Sequence, residues 1–149
     1  MHGKGLKRLM QVWTGVFGFG AVFFLFFGDR LIETGNRIGA VFFHLPPMPL
    51  PLERFWLVLT VSLMVTLTVI CYTIQKDPVA NRKLTLFVLI SKMTSTLLFL
   101  FFFFQTRQFN YLLGSVFCDG PIFLITLLFY RAGAEDRRPV LTSPRFPQK

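Results

Sequence analysis

The chain has few cysteines, few histidines and few charged residues for its length. Its 149 residues include 2 Cys, 2 His and 15% charged residues, against 53% hydrophobic residues and 20 Phe. Cys71 and Cys118 both lie in apolar runs and, drawn as helices, sit at depths roughly 12 Å apart, too far for a disulfide. This composition argues against a zinc site or CxxC redox chemistry, and it leaves too little polar surface for a soluble domain.

Sequence motifs of known reactions are also missing. There is no GxSxG, HExxH or Walker pattern in the chain. His2 and His44 both lie outside the apolar runs, so no histidine pair is available to hold a haem inside a membrane. We therefore predict no catalytic residue, no metal site and no cofactor.

Four long apolar runs dominate what is present, at residues 10–27, 55–74, 84–104 and 111–130. Each approaches the roughly 20 residues that a helix needs to cross a hydrocarbon layer. Backbone groups must be satisfied internally in lipid, and the runs lack the alternation of barrel strands. The sequence thus predicts an all-α integral membrane protein, with four transmembrane helices in an antiparallel bundle. The first run has no A-x-A-like site and is expected to remain as a span.

Basic residues at the ends of the runs predict the orientation. The formal net charge is +9, and of 16 Lys and Arg, eleven fall on the side of the N-terminus, four on the opposite side and one, Lys92, inside a run. This bias places both termini in the cytoplasm. We expect the plasma membrane, as the inner membrane of a bacterium. The short basic clusters suit anionic lipid headgroups better than nucleic acid, which we do not expect as a partner.

Residues 1–131 form the predicted membrane domain, and 132–149 a basic, disordered cytoplasmic tail. Residues 29–44 place charged and apolar side chains at helical spacing, which predicts an amphipathic helix in the outer interface after the first span. Gly35 and Gly39 weaken that prediction. Residues 45–51 are rich in proline and should be extended, either as a stiff spacer or as a docking strip for a partner.

Lys92 and Asp119 are the two charges inside the predicted spans. In a hairpin of the third and fourth spans their depths differ by about 4 Å at the helical rise, so we predict an ion pair. One hypothesis is structural: the pair sets the register of two helices. The other is functional: a buried Lys and Asp can exchange a proton or counter a substrate charge.

Neighbouring polar residues are predicted to support this pair. Ser95 and Thr96 share a helical face with Lys92, as Tyr111 and Ser115 do with Asp119. The next residues, Gly120 and Pro121, predict a helix kink near Phe117, because proline cannot donate a backbone hydrogen bond. Cys118 and Thr126 also fall on the face of Asp119.

Small residues predict a packing surface on the first span. Thr14, Gly15 and Gly18 would allow another helix to approach closely, within the bundle or from another subunit. Hydroxyl side chains on the second span, Ser62, Thr66 and Thr73 among them, are predicted to pack in the same way. Trp13 and Trp56 lie near span ends and are expected to be interfacial anchors.

The sequence favours a non-enzymatic role as a small accessory, assembly or scaffold subunit on a larger membrane complex. Its partners would be the lipid bilayer, other membrane subunits or a second copy of the chain. The alternative is a small oligomeric transporter, or a carrier of ions or protons, that uses Lys92 and Asp119. A minor alternative is a lipid-modifying membrane enzyme, for which the charged cluster between Asp29 and Arg37 is the candidate. Size and span number resemble those of the small multidrug exporters, but such an exporter would carry an acidic residue in span one, and there is no charge between Met10 and Phe27. The sequence therefore indicates no family.

Overall fold

The structure, a computed structural model, describes residues 4–51 and 54–135, and all regular structure in these ranges is helical. Four of the described helical stretches are long and apolar enough to cross a membrane. They are Lys4–Phe43, Phe55–Lys76, Arg82–Thr106 and Phe109–Ala132. The all-helical fold class and the four candidate spans are thereby confirmed.

The helices are α1 (Lys4–Phe43), α2 (Phe55–Lys76), α3 (Thr85–Thr106), α4 (Phe109–Leu112) and α5 (Gly120–Glu135). A 3-10 turn, Arg82–Leu84, precedes α3, and a π-helix, Leu113–Asp119, joins α4 to α5. We call α4, the π-helix and α5 together the fourth helix. It continues through Glu135, and residues 136–149 of the predicted tail lie outside the described part of the chain.

α1 is much longer than the predicted first span. The predicted span and the predicted amphipathic segment form one helix of 40 residues with a single interruption at Phe27, whose φ of −128° and ψ of 15° are not helical. Phe27 is also the last residue of the first apolar run. The change from apolar to charged sequence therefore coincides with a break in helical geometry rather than with a loop.

α1 and α3 are each followed directly by a residue with positive φ. His44 has a φ of 53°, and the next backbone N–H, that of Leu45, donates to the carbonyl of Gly39 at 3.1 Å. Arg107 has a φ of 56°, and its N–H donates to the carbonyl of Phe103 at 2.8 Å. These bonds use carbonyls that would otherwise lack a partner at the helix ends, and the prolines after His44 prevent further helix.

The apolar core lies toward the end of the molecule that carries the N-terminus. The buried residues that pack together there are Leu6, Met10, Trp13, Phe17, Leu67, Cys71, Ile74 and Val88. Away from this core most large apolar side chains face outward; Phe19 and Phe26, for example, are each 71% exposed. Such extensive apolar surface suits lipid rather than water as the surroundings.

Candidate functional site

Lys92 of α3 and Asp119 of the π-helix form a buried ion pair. The Nζ of Lys92 lies 2.8 Å from Oδ1 of Asp119, and the two side chains are 7% and 13% exposed. The hydroxyl of Ser95 donates to the second carboxylate oxygen of Asp119. Both carboxylate oxygens therefore have a donor, so that a costly buried charge is balanced and hydrogen-bonded.

A third helix borders the pair. Lys92 Nζ lies 4.9 Å from the centroid of the Phe17 ring of α1, which gives the ammonium a cation–π contact as well as its carboxylate partner. Phe17 belongs to the apolar core and is 2% exposed. The pair thus sits at the edge of the core, where α1, α3 and the fourth helix meet.

The predicted polar face around the pair is only partly assembled. Ser95 reaches Asp119, whereas the hydroxyl of Thr96 donates to the backbone carbonyl of Lys92 at 2.7 Å, within its own helix. Ser115 is buried, but its hydroxyl donates to the carbonyl of Leu112 at 3.1 Å. Tyr111 lies farther along the fourth helix, with its ring stacked on Phe102 at 5.6 Å between centroids. Among the predicted supporting residues, Ser95 is the one that bonds to the carboxylate.

Asp119 owes its position to the π-helix. The N–H of Gly120 donates to the carbonyl of Ser115, five residues back, and a Cβ on Gly120 would overlap that same oxygen. Pro121 follows and has no N–H to continue the normal α-helical ladder. The predicted kink residues therefore coincide with a seven-residue change of helix type that ends on Asp119. Such insertions are frequent at functional sites.

The fourth helix departs from the predicted polar stripe because of this change. A π-helix has more residues per turn than an α-helix, so a face counted at 3.6 residues per turn loses its alignment. Cys118, expected on the face of Asp119, is exposed, whereas Thr126 is buried. Cys71 is buried and, like Cys118, is a free thiol.

The predicted packing residues of α1 take different positions. A Cβ on Gly18 would lie 3.6 Å from Cγ2 of Thr68 in α2, so this glycine is at a helix contact. Gly15 has nothing within 4 Å of the corresponding position and faces outward. The Thr14 hydroxyl donates to the Met10 carbonyl at 2.7 Å, within α1. The inward face of α1 consists mainly of large residues instead.

Trp13 is one of these large residues, and its expected role as an interfacial anchor is wrong. Its side chain is 8% exposed, and its indole N–H donates to the hydroxyl of Thr126 at 3.0 Å. Trp56, by contrast, is 63% exposed at the start of α2. Position near a span end does not predict which of these two tryptophans is buried, because burial depends on which side of the helix faces a neighbour.

A group of amide contacts that the sequence did not reveal holds the second half of α1. The amide of Asn36 bonds to Met48 twice, donating to its carbonyl at 2.9 Å and accepting from its N–H at 2.8 Å. Asn110 donates to Asn36 Oδ1 at 2.8 Å and to the Ile32 carbonyl at 3.2 Å. We call these contacts the asparagine clasp. It ties the proline-rich segment and the start of the fourth helix to α1.

Two glycines make the clasp possible. A Cβ on Gly35 would overlap the side-chain amide of Asn110, and one on Gly39 would lie 2.5 Å from Cβ of Phe109. Both glycines are buried. Their spacing of four residues places them on one helix face, which is the sequence signal that could have indicated a close contact. Periodicity alone predicts only that these glycines weaken an exposed amphipathic helix.

Small polar side chains also face away from the molecule on α2. Ser62 and Thr66 are exposed, and their hydroxyls donate within the helix to the carbonyls of Leu59 and Ser62. Thr73 lies on the same side, is half-buried, and its hydroxyl donates to the Val69 carbonyl. We call Ser62, Thr66 and Thr73 the hydroxyl stripe. It is not part of the α1 contact, which involves Thr68 on another face.

No group of three or more His, Cys, Asp or Glu within the described ranges is placed to hold a metal ion. Chemically, the ion pair can keep two helices in register or move a proton between Lys92 and Asp119.

No protein family matches the chain, and no curated protein or solved structure is significantly similar to it.

Proposed function

We propose that the chain is an integral membrane protein with four antiparallel spans that serves as a small accessory, assembly or scaffold subunit of a larger membrane complex. It would lie in the plasma membrane, as the inner membrane of a bacterium, with both termini in the cytoplasm. The antiparallel arrangement is supported by contacts between α1 and α2, in which Gly18 lies near Thr68 and Gly28 near Leu57.

The segment after Phe27 has the pattern of an interfacial helix. At 100° per residue it has three faces. One face packs on the start of the fourth helix and contains Ile32, Gly35, Asn36 and Gly39. A second face is charged and exposed, with Asp29, Arg30, Glu33 and Arg37. The third is apolar and exposed, with Ile38, Val41 and Phe42. Separate charged and apolar exposed faces suit a helix lying between water and lipid.

The hydroxyl stripe is the main support for the accessory role. Exposed hydroxyls in an apolar helix gain little from lipid, whereas small polar side chains allow another membrane helix to pack closely and to hydrogen-bond. Gly15 of α1 is a second small residue that faces outward. The ion pair supports the same proposal, because both charges are already satisfied inside the chain.

The test is to solubilise native membranes gently with the tagged full chain and to identify what co-purifies. The proposal expects a stoichiometric larger membrane protein. Thr66→Leu should remove that partner by filling the contact surface. Val65→Leu, a similar enlargement at a position 50% exposed and 100° away on α2, should retain it. Recovery of the chain alone, or equal loss in both variants, contradicts the proposal.

A small carrier of ions or protons is the second candidate, because the π-helix ends on Asp119. In a carrier the pair would open and re-form during transport, so its charges would be needed in their own positions. Proteoliposomes of the full chain should then move protons, and both Asp119→Asn and the exchanged pair Lys92→Asp with Asp119→Lys should abolish the flux. A folded wild-type chain without flux rules out the proton carrier.

A further inference from the structure

A cleft of about 600 Å³ lies beside the interruption of α1, next to the start of α2. Its lining includes Phe26, Phe27, Asp29, Arg30, Arg54 and Leu57. The volume is within the range of roughly 300–1,000 Å³ found for small-molecule sites. The cleft is separate from the ion pair and from the asparagine clasp.

The position of the cleft along the helices limits what can occupy it. Phe27 ends the first apolar run and Phe55 begins the second, so apolar sequence changes to charged sequence at this level. A Cβ on Gly28 would lie 3.4 Å from Leu57, which shows how closely α1 and α2 approach here. In the proposed membrane orientation, this is the depth of the phospholipid phosphates in the outer leaflet.

The charges of the lining match a zwitterionic headgroup. Arg30 and Arg54 supply two guanidinium groups, whose planar forks suit phosphate oxygens. Arg30 also lies over the Phe27 ring at 5.8 Å, a contact that limits where its guanidinium can point. Asp29 adds a carboxylate to the same lining, and a carboxylate accepts hydrogen bonds from an ammonium group.

We propose that this cleft binds the headgroup of a phosphatidylethanolamine lipid. Arg30 and Arg54 bind the phosphodiester, Asp29 accepts hydrogen bonds from the primary ammonium, and the apolar side of the cleft at Phe26 and Leu57 receives the start of an acyl chain. A choline headgroup has no N–H to donate and fits less well. The proposal rests on the membrane orientation proposed above, but not on the choice between subunit and carrier.

The first test is native mass spectrometry of the full chain from micelles containing equal amounts of phosphatidylethanolamine and phosphatidylcholine. Arg30→Gln and Arg54→Gln should each reduce retained phosphatidylethanolamine by roughly tenfold, as expected for loss of a hydrogen bond between charged groups. Arg37→Gln removes the same charge from an exposed position on the same helix, outside the cleft, and should have no effect. Equal retention in all three variants overturns the site.

The second test separates the headgroup from charge alone. Asp29→Asn should lower the preference for phosphatidylethanolamine over phosphatidylcholine, whereas Glu33→Gln, an exposed acid outside the cleft, should leave it unchanged. A preference that survives Asp29→Asn contradicts the ammonium contact. Millimolar glycerophosphoethanolamine, which has the headgroup without acyl chains, should not displace the lipid. Complete displacement would assign the cleft to a soluble phosphate ester instead.

Each variant is first compared with the wild type by circular dichroism and size-exclusion chromatography. Where a Gln variant aggregates, Arg30→Lys and Arg54→Lys replace it, because lysine keeps the charge but lacks the planar fork. Partial loss of the lipid in the Lys variants supports the phosphate contact. Retention equal to wild type in both of them contradicts it.

Discussion

Lys92 and Asp119 depend on each other to remain buried. Lys92 has the carboxylate at 2.8 Å and the Phe17 ring at 4.9 Å, and Asp119 has Lys92 and Ser95. Removal of either charge would leave the other without its counter-ion in a low-dielectric site, where the penalty is largest. At the scale of single residues, the two charges are therefore needed together for the fold to be stable.

We expect Asp119→Asn and Lys92→Met each to lower the free energy of unfolding by about 3–5 kcal/mol, the cost of stranding one buried charge. The double variant Lys92→Met with Asp119→Leu should lose much less, because no charge remains uncompensated. Thermal or denaturant unfolding in a fixed detergent measures this double-mutant cycle. Additive losses in the double variant would show that the two charges do not stabilise each other.

Gly35 and Gly39 of α1 lie where there is no room for a side chain. Gly35→Ala and Gly39→Ala place a methyl group against Asn110 and Phe109, so both should destabilise the chain by about 1–3 kcal/mol through overpacking. Gly15→Ala is the matched control: nothing lies within 4 Å of its Cβ position, and alanine favours helix by roughly 1 kcal/mol. Unfolding curves of the three variants in the same detergent provide the comparison. A stable Gly35→Ala variant would refute the close contact.

At the scale of elements, the fourth helix is the one whose internal geometry matters most. Gly120 can approach the Ser115 carbonyl because it has no Cβ, and Pro121 removes the donor that an α-helix would need next. The result is a π-helix that presents Asp119 to Lys92. The sequence predicted a disturbance here from Pro121, but not that it would take the form of a seven-residue π-helix.

Pro121→Ala tests this explanation. The new N–H can bond to the carbonyl four residues back, so residues 113–119 should shift toward α-helix and their amides should exchange more slowly with deuterium. Hydrogen exchange measured on this peptide, with a peptide of α2 as internal reference, gives the result. Unchanged exchange would mean that the packing of Asp119, and not the proline, maintains the π-helix.

For the whole molecule, the proposed orientation in the membrane rests on the distribution of basic residues. Lys76 ends α2, and Arg82 and Lys83 lie in the 3-10 turn before α3. The proposed cytoplasmic side thus carries the excess of basic residues. Ala80, between α2 and α3, and Thr106 at the end of α3 are both exposed. These two positions should therefore lie on opposite sides of the membrane.

A membrane-impermeant maleimide should label Thr106→Cys in intact cells and Ala80→Cys only after the membrane is opened. Cys71 is buried, and Cys118 lies within the fourth helix, a candidate span, so the unaltered chain provides the background control. The reverse labelling pattern would invert the proposed orientation. Equal labelling of both sites in intact cells would contradict the spanning arrangement itself.

The sequence alone determined that the chain is helical and that it has four long apolar helices, because length and hydropathy are local properties. It also placed Lys92 and Asp119 at similar depth, since an α-helix rises by a constant 1.5 Å per residue. It did not give the end of α1, which continues from Phe27 to Phe43. Only the tertiary structure decided which faces meet: Trp13 turned inward to Thr126, Gly15 turned outward, and Gly35 lay under Asn110. Rotation of each helix about its axis depends on contacts between residues far apart in sequence, and a π-helix changes that rotation partway along a span. The periodicity of one segment predicts neither the rotation of its helix nor the presence of a π-helix.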